Sequence, residues 1–140
     1  MAKLISPFEL RDLGILGMNA RNIGFIGRYN QRANYRLADD KLQTKSAALA
    51  RGIPVPELYG TVEYQFQVKD MLNTLKGRDS FVIKPAQGSG GKGILVIVGR
   101  EGDHFIKSSG ALIDEREVRR HSSNILAGLH SLGGRNDCAM

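Results

Sequence analysis

Four glycines, a serine and two lysines fall together in the stretch Phe81-Val82-Ile83-Lys84-Pro85-Ala86-Gln87-Gly88-Ser89-Gly90-Gly91-Lys92-Gly93-Ile94. Glycine reaches φ > 0 and lets a ligand approach the backbone closely. A run of free N–H groups in such a loop forms a concavity that holds anions. Lys84 and Lys92 add positive charge on either side. The chemistry open to this grouping is the gripping of phosphate beneath a pliable flap. On both sides the residues are apolar and β-favouring, Phe81 to Ile83 before and Ile94 to Val98 after, so the stretch reads strand, loop, strand.

That arrangement separates it from several glycine motifs. A Walker A loop needs Ser or Thr after its Gly-Lys pair, whereas Gly91-Lys92 is followed by Gly93. Gly88-x-Gly90-x-x-Gly93 matches G-x-G-x-x-G, but a dinucleotide site needs a helix at the third glycine, and here a strand-like run follows. Protein kinases also cover ATP with a glycine loop between strands. Their lysine lies on a later strand, whereas Lys84 precedes this loop, and no H-R-D or D-F-G string is present. A ligand-free hairpin connection needs only one or two glycines.

Other residues carry less. His104, His121 and His130 lack metal-site spacing and are expected as surface or capping groups. Asp39/Asp40 and Glu115/Glu117 stand at expected helix starts, where the helix dipole favours carboxylates. Cys138 has no internal disulfide partner and reads as a small buried residue. No Ser/His/Asp arrangement emerges. Neither a catalytic residue nor a metal ligand is assigned.

The elements that position the loop follow from caps and periodicity. Ser6-Pro7-Phe8-Glu9 starts a helix that the apolar spacing carries to about Arg28. A second begins at Asp39 as N-cap and ends at Gly52, and Ile53-Pro54-Val55-Pro56 is extended. A third is expected over Gln67 to Leu75. After the central hairpin and a turn at Gly99–Gly102, Asp103 to Lys107 makes a short strand. A last helix runs from Asp114 to about His130, ending at Gly133-Gly134. The expected fold class is α+β, a small antiparallel sheet with flanking helices. Two segments are expected: a helical segment 1–38 and a nucleotide-binding unit 39–140.

At 140 residues, 41% hydrophobic and 24% charged, the chain suits one modest globular domain. It has no run long enough to span a bilayer and no signal-peptide core at its start, and a single cysteine; a cytoplasmic location is expected. The net charge of +6 admits nucleic acid or phosphorylated small molecules as partners. A non-catalytic basic module binding nucleic acid or another polyanion is the alternative reading. Aromatic residues at 6%, with no RNA-binding aromatic motif, weigh against it. Self-association through exposed apolar surface, giving a homo-oligomer, is compatible with either reading.

Taken in order, Asp40-Lys41, then Gly52-Ile53-Pro54-Val55-Pro56, then Phe81-Val82-Ile83-Lys84-Pro85 with Gly88 to Gly93 resembles the N-terminal part of ATP-grasp carboxylate–amine ligases. Within them it looks most like the RimK-related alpha-L-glutamate ligase-like proteins, to which Arg21-Asn22 and the Asn30, Arg32, Asn34, Arg36 stretch are also similar. The resemblance spans residue 15, roughly, to the end. It implies that Lys41 and Lys84 bind ATP phosphates, Lys84 also lying near adenine, and that Gly88, Ser89, Gly90, Gly91, Lys92 and Gly93 form the flap over the β- and γ-phosphates. It implies ATP and Mg2+ as cofactors, and carboxylate and amine substrates joined through an acyl phosphate. In such ligases an adenine-binding hinge and the acidic and Asn ligands of Mg2+ come next. The tail from Gly133 looks like the approach to that hinge. The chain is therefore expected to be an N-terminal fragment that is inactive alone.

Overall fold

The computed structural model describes residues 4–131, 134 and 137–140. The chain divides into two compact units, Met1–Ala38 and Asp39–Met140.

In the first unit the expected start is present. Helix α1 (Pro7–Asp12) carries a capping box: Ser6 Oγ accepts from the Glu9 N–H at 3.2 Å, and Glu9 Oε2 accepts from the Ser6 N–H at 2.8 Å. The expected continuous helix to Arg28 is broken after one and a half turns. Gly14 takes φ 80°, its N–H reaches the Arg11 carbonyl at 2.9 Å, and the Ile15 N–H reaches that of Leu10 at 3.0 Å. This paired closure satisfies the last carbonyls and turns the chain, which glycine permits without cost to a Cβ. Helix resumes as α2 (Met18–Arg21), passes through a π-helical turn at Asn22–Ile26, and ends as α3 (Gly27–Tyr29). A 3-10 turn and α4 (Tyr35–Asp39) follow. None of these helices buries a residue, and Phe8, Met18 and Ile23 stay largely exposed.

In the second unit α5 (Lys41–Leu49) is capped by Asp40, not by Asp39. Asp40 Oδ1 accepts from the Leu42 and Gln43 N–H groups at 2.9 and 3.2 Å, while Asp39 closes the preceding helix. Strand β1 (Thr61–Val62) comes next. The helix expected over Gln67 to Leu75 is a 3-10 turn at Gln65–Lys69 followed by α6 (Met71–Thr74). Its start lies earlier because the Gln67 side chain accepts from the Glu63 and Tyr64 N–H groups at 2.8 and 2.9 Å.

The central hairpin is as expected: β2 (Phe81–Pro85) pairs antiparallel with β3 (Leu95–Glu101), with Phe81 opposite Ile97 and Ile83 opposite Leu95. Strand β3 runs past Gly99, where the register shifts, so the turn to β4 (His104–Lys107) falls at Gly102, φ 56°. Strands β5 (Leu112–Ile113) and β6 (Cys138–Ala139) complete a six-stranded sheet in the order β1-β6-β2-β3-β4-β5, antiparallel throughout. The three two-residue strands gave no sequence signal of their own.

Helix α7 (Glu115–Leu126) starts on a second capping box, with Asp114 Oδ1 accepting from the Glu117 N–H at 2.7 Å. Val118, Ser122, Ile125 and Leu126 form its buried stripe against β2, β6 and the 3-10 turn. Alternate strand residues meet that stripe: Phe81 and Ile83, Leu95 and Ile97, with Phe105 edge-on to Phe81 at 5.5 Å. The helix stops at Leu126, short of His130. Gly128 takes φ 80°, and the Leu129 N–H bonds the Asn124 carbonyl at 3.1 Å. Gly133, Arg135 and Asn136 of the tail lie outside the described residues, as does the side chain of Cys138. Among the described residues no helix is long and apolar enough to cross a membrane.

Candidate functional site

The glycine loop leaves β2 at Ala86 and enters β3 at Leu95, and side chains from two helices hold its ends. At the entry, helix α5 supplies Lys41. Its backbone N–H donates to the Ala86 carbonyl at 2.9 Å, and its ammonium donates to the carbonyls of Gly88 at 2.8 Å and Ala86 at 3.4 Å. Gln87 Nε2 donates to Asp40 Oδ2 at 3.3 Å, tying the loop root to the cap of the same helix. Burial alone would raise the Asp40 carboxyl. Hydrogen bonds from Gln43, Gln87 and the Leu42 N–H outweigh it and hold the group below its ordinary 3.8.

At the exit, His121 of α7 and His130 just beyond it close on Gly93. The Gly93 carbonyl lies 2.9 Å from His121 Nε2. A carbonyl only accepts, so Nε2 carries the proton. The His130 ring packs over Gly93, and the two imidazoles stack with centroids 5.9 Å apart. Ser131 makes an antiparallel bridge to Gly88. Between these ends Gly90 and Gly91 take φ 64° and 73° with open space beside each. Positive φ at both positions is open to glycine without the crowding a Cβ would bring.

Lys84 occupies the face of β2 opposite the core, in alternation with Ile83 and Pro85. It lines a cavity of about 350 Å³ together with Lys45, Glu57, Tyr59, Phe81 and Val82. Lys45 was missed in the sequence. It lies one helical turn after Lys41, so α5 presents one ammonium to the loop and the next to this cavity. Burial depresses the Lys45 pKa below 10.5, the nearby Lys84 charge depresses it further, and Glu57 opposes the shift. Two ammonium groups against one carboxylate leave the cavity with positive charge. Gly88 to Gly93 do not line it; the loop stands at the other end of α5's reach.

The family model for sugar-transfer associated ATP-grasp matches residues 20–140. The chain belongs to this ATP-grasp family. No curated protein and no solved structure matches it. ATP-grasp membership supports an ATP-dependent function of the ligase or transferase kind, in a family whose members generally bind ATP and Mg2+.

The groups on this ATP-grasp sheet suit an anion such as a polyphosphate: Lys45 and Lys84 at one cavity, and a glycine loop that continues the strand carrying Lys84. They do not offer a metal site. Among the described residues no group of three or more His, Cys, Asp or Glu side chains is placed to hold a metal ion. The structure thus brings Lys41 onto the flap root and Lys84 beside Lys45, while Ser89 and Lys92 stay exposed on the flap itself.

The loop's exit should respond to pH. His121 titrates below the ordinary 6.5 because burial disfavours its cation; the Gly93 carbonyl opposes this, and His130 and Lys107 add like charge. Between its folded value and 6.5 the unfolded chain binds a proton that the folded chain refuses. Stability is fully present above 6.5 and falls as pH drops towards the folded value. Melting temperature is expected to decline from about pH 8 to about pH 5, with a smaller decline in His121→Gln. An equal decline in both proteins would remove His121 as the cause.

Proposed function

We propose that this chain supplies the phosphate-gripping loop and lysines of a cytoplasmic ATP-dependent carboxylate–amine ligase of the RimK-related, alpha-L-glutamate ligase-like kind. The observation that supports it most is the pairing of Lys45 and Lys84 at one cavity beside a glycine loop between two strands. Like charges at a shared cavity repel unless an anion lies between them. Lys84 and Lys45 take phosphate oxygens, and the N–H groups of the flap Gly88 to Gly93 cover the terminal phosphates. Lys41 holds the flap's root and brings its remaining N–H to the same anion. ATP, when bound, supplies a phosphoryl group that activates a substrate carboxylate as an acyl phosphate for attack by an amine.

The test is calorimetric titration of the chain with a non-hydrolysable ATP analogue and Mg2+. Saturable binding of one analogue per chain, competed by ADP, is expected. Absence of binding would sink the proposal. So would a preference for nucleic acid whose affinity falls linearly on a log–log plot against salt, the signature of the polyanion-binding alternative.

A further inference from the structure

The loop's two ends are not alike. Gly88 sits against Pro85, with a Cβ there meeting the ring at 3.1 Å. Gly93 has no room at all: a Cβ would come within 2.6 to 2.7 Å of the His130 Cβ and two of its ring atoms, in a backbone at φ 76°. The same residue's carbonyl is taken by His121. His121 is carried by α7 itself, and His130 arrives through the stop of that helix at Leu126 and the turn at Gly128, which bring Ser131 to its bridge with Gly88. The clamp thus rides on a helix anchored in the core by Val118, Ser122 and Ile125. Between the ends, the loop's described backbone hydrogen bond is a long one, Lys92 N–H to the Ser89 carbonyl at 3.4 Å.

We propose that His121 and His130 are positioning residues that clamp Gly93, so that the flap closing over phosphate is only the span Ser89–Lys92. This rests on the nucleotide reading above. His121 fixes the direction of the Gly93 peptide by its Nε2–H, and His130 fixes its height by ring contact. With Lys41 at the entry, the four residues between start from a set position. Less conformational freedom is then lost when phosphate binds. Neither histidine touches the nucleotide. Glu117, one turn before His121 on its own helix, is engaged by Arg120 and by the Asp114 N–H, leaving His130 and Lys107 as the charged neighbours that act on it.

The experiment compares ATP-analogue affinity of the full chain with that of His121→Ala and His121→Gln. The alanine variant should bind about tenfold more weakly. The glutamine variant, whose amide N–H also donates to the Gly93 carbonyl, should recover to within about threefold of the original. Equal binding by the alanine variant, or no recovery in the glutamine variant, overturns the clamp. Nitrogen NMR of the unliganded chain keeps the two readings apart and needs no variant. His121 should be the Nε2-protonated tautomer with its N–H hydrogen-bonded. The Nδ1-protonated tautomer refutes the clamp whatever the nucleotide does. Failure of the unmodified chain to bind nucleotide, with the Nε2 tautomer present, refutes the nucleotide reading and with it the flap role assigned to the clamp.

Discussion

Gly93→Ala is expected to destabilise the second unit by about 2–5 kcal/mol, a large part of what a domain of this size has. Two costs combine. At φ 76° a Cβ crowds the following carbonyl, which costs about 1–2 kcal/mol. The same Cβ lies 2.6 Å from the His130 ring, and forcing a packed ring aside costs about 1–3 kcal/mol. The costs are separable. Gly90→Ala has φ 64° but nothing within 4 Å, so it bears the backbone cost alone. His130→Ala in the Gly93→Ala background should return the part of the steric cost due to the ring, but not the part due to the retained His130 Cβ at 2.7 Å, and none of the backbone cost. Denaturant midpoints of the four proteins check this. If Gly93→Ala proved no worse than Gly90→Ala, the close packing of His130 on the loop would be wrong.

Lys84→Met is expected to weaken ATP-analogue binding by about 10- to 100-fold. A charge-assisted hydrogen bond contributes about 1.5–3 kcal/mol, and each 1.4 kcal/mol is about a factor of ten. Methionine keeps the length and apolar stem of lysine, so Ile83 and Pro85 on the core face should stay packed and the melting temperature nearly unchanged. The variant has a second signature. Without the neighbouring ammonium the Lys45 pKa should rise back towards 10.5, since Lys84 is one of the two causes that lower it. Side-chain NMR titration of Lys45 reads this without nucleotide. Unchanged affinity in Lys84→Met would remove the main support for the proposed phosphate grip. An unchanged Lys45 titration would mean that the two ammonium groups do not share a cavity.

Much of this was legible before any coordinates, for reasons that are local. The strand–loop–strand pattern around Gly88 to Gly93 shows in the sequence because β-favouring runs and glycines act on their own backbone. So do the capping boxes at Ser6–Glu9 and Asp114–Glu117, whose partners lie three residues apart. ATP-grasp kinship was readable from the order of short motifs. Where local signals competed, the sequence misled. Apolar periodicity argued for one helix to Arg28, but Gly14 could adopt a left-handed turn, and it did.

The rest was decided by residues far apart in the chain. Strands β1, β5 and β6 are two residues each, and they exist because a neighbour offers a free edge. Lys41 binds carbonyls 45 and 47 residues away, and Lys45 meets Lys84 only because the start of α5 docks on the loop root just after β2. His121 and His130, nine apart, show no motif; α7 brings the first to the Gly93 carbonyl, and the turn at Gly128 brings the second over Gly93. Spacing along a chain specifies contacts within a turn or a hairpin. Which side chain reaches which loop end depends on how the core stripe of α7 seats against the sheet, and that is set by packing of the whole unit.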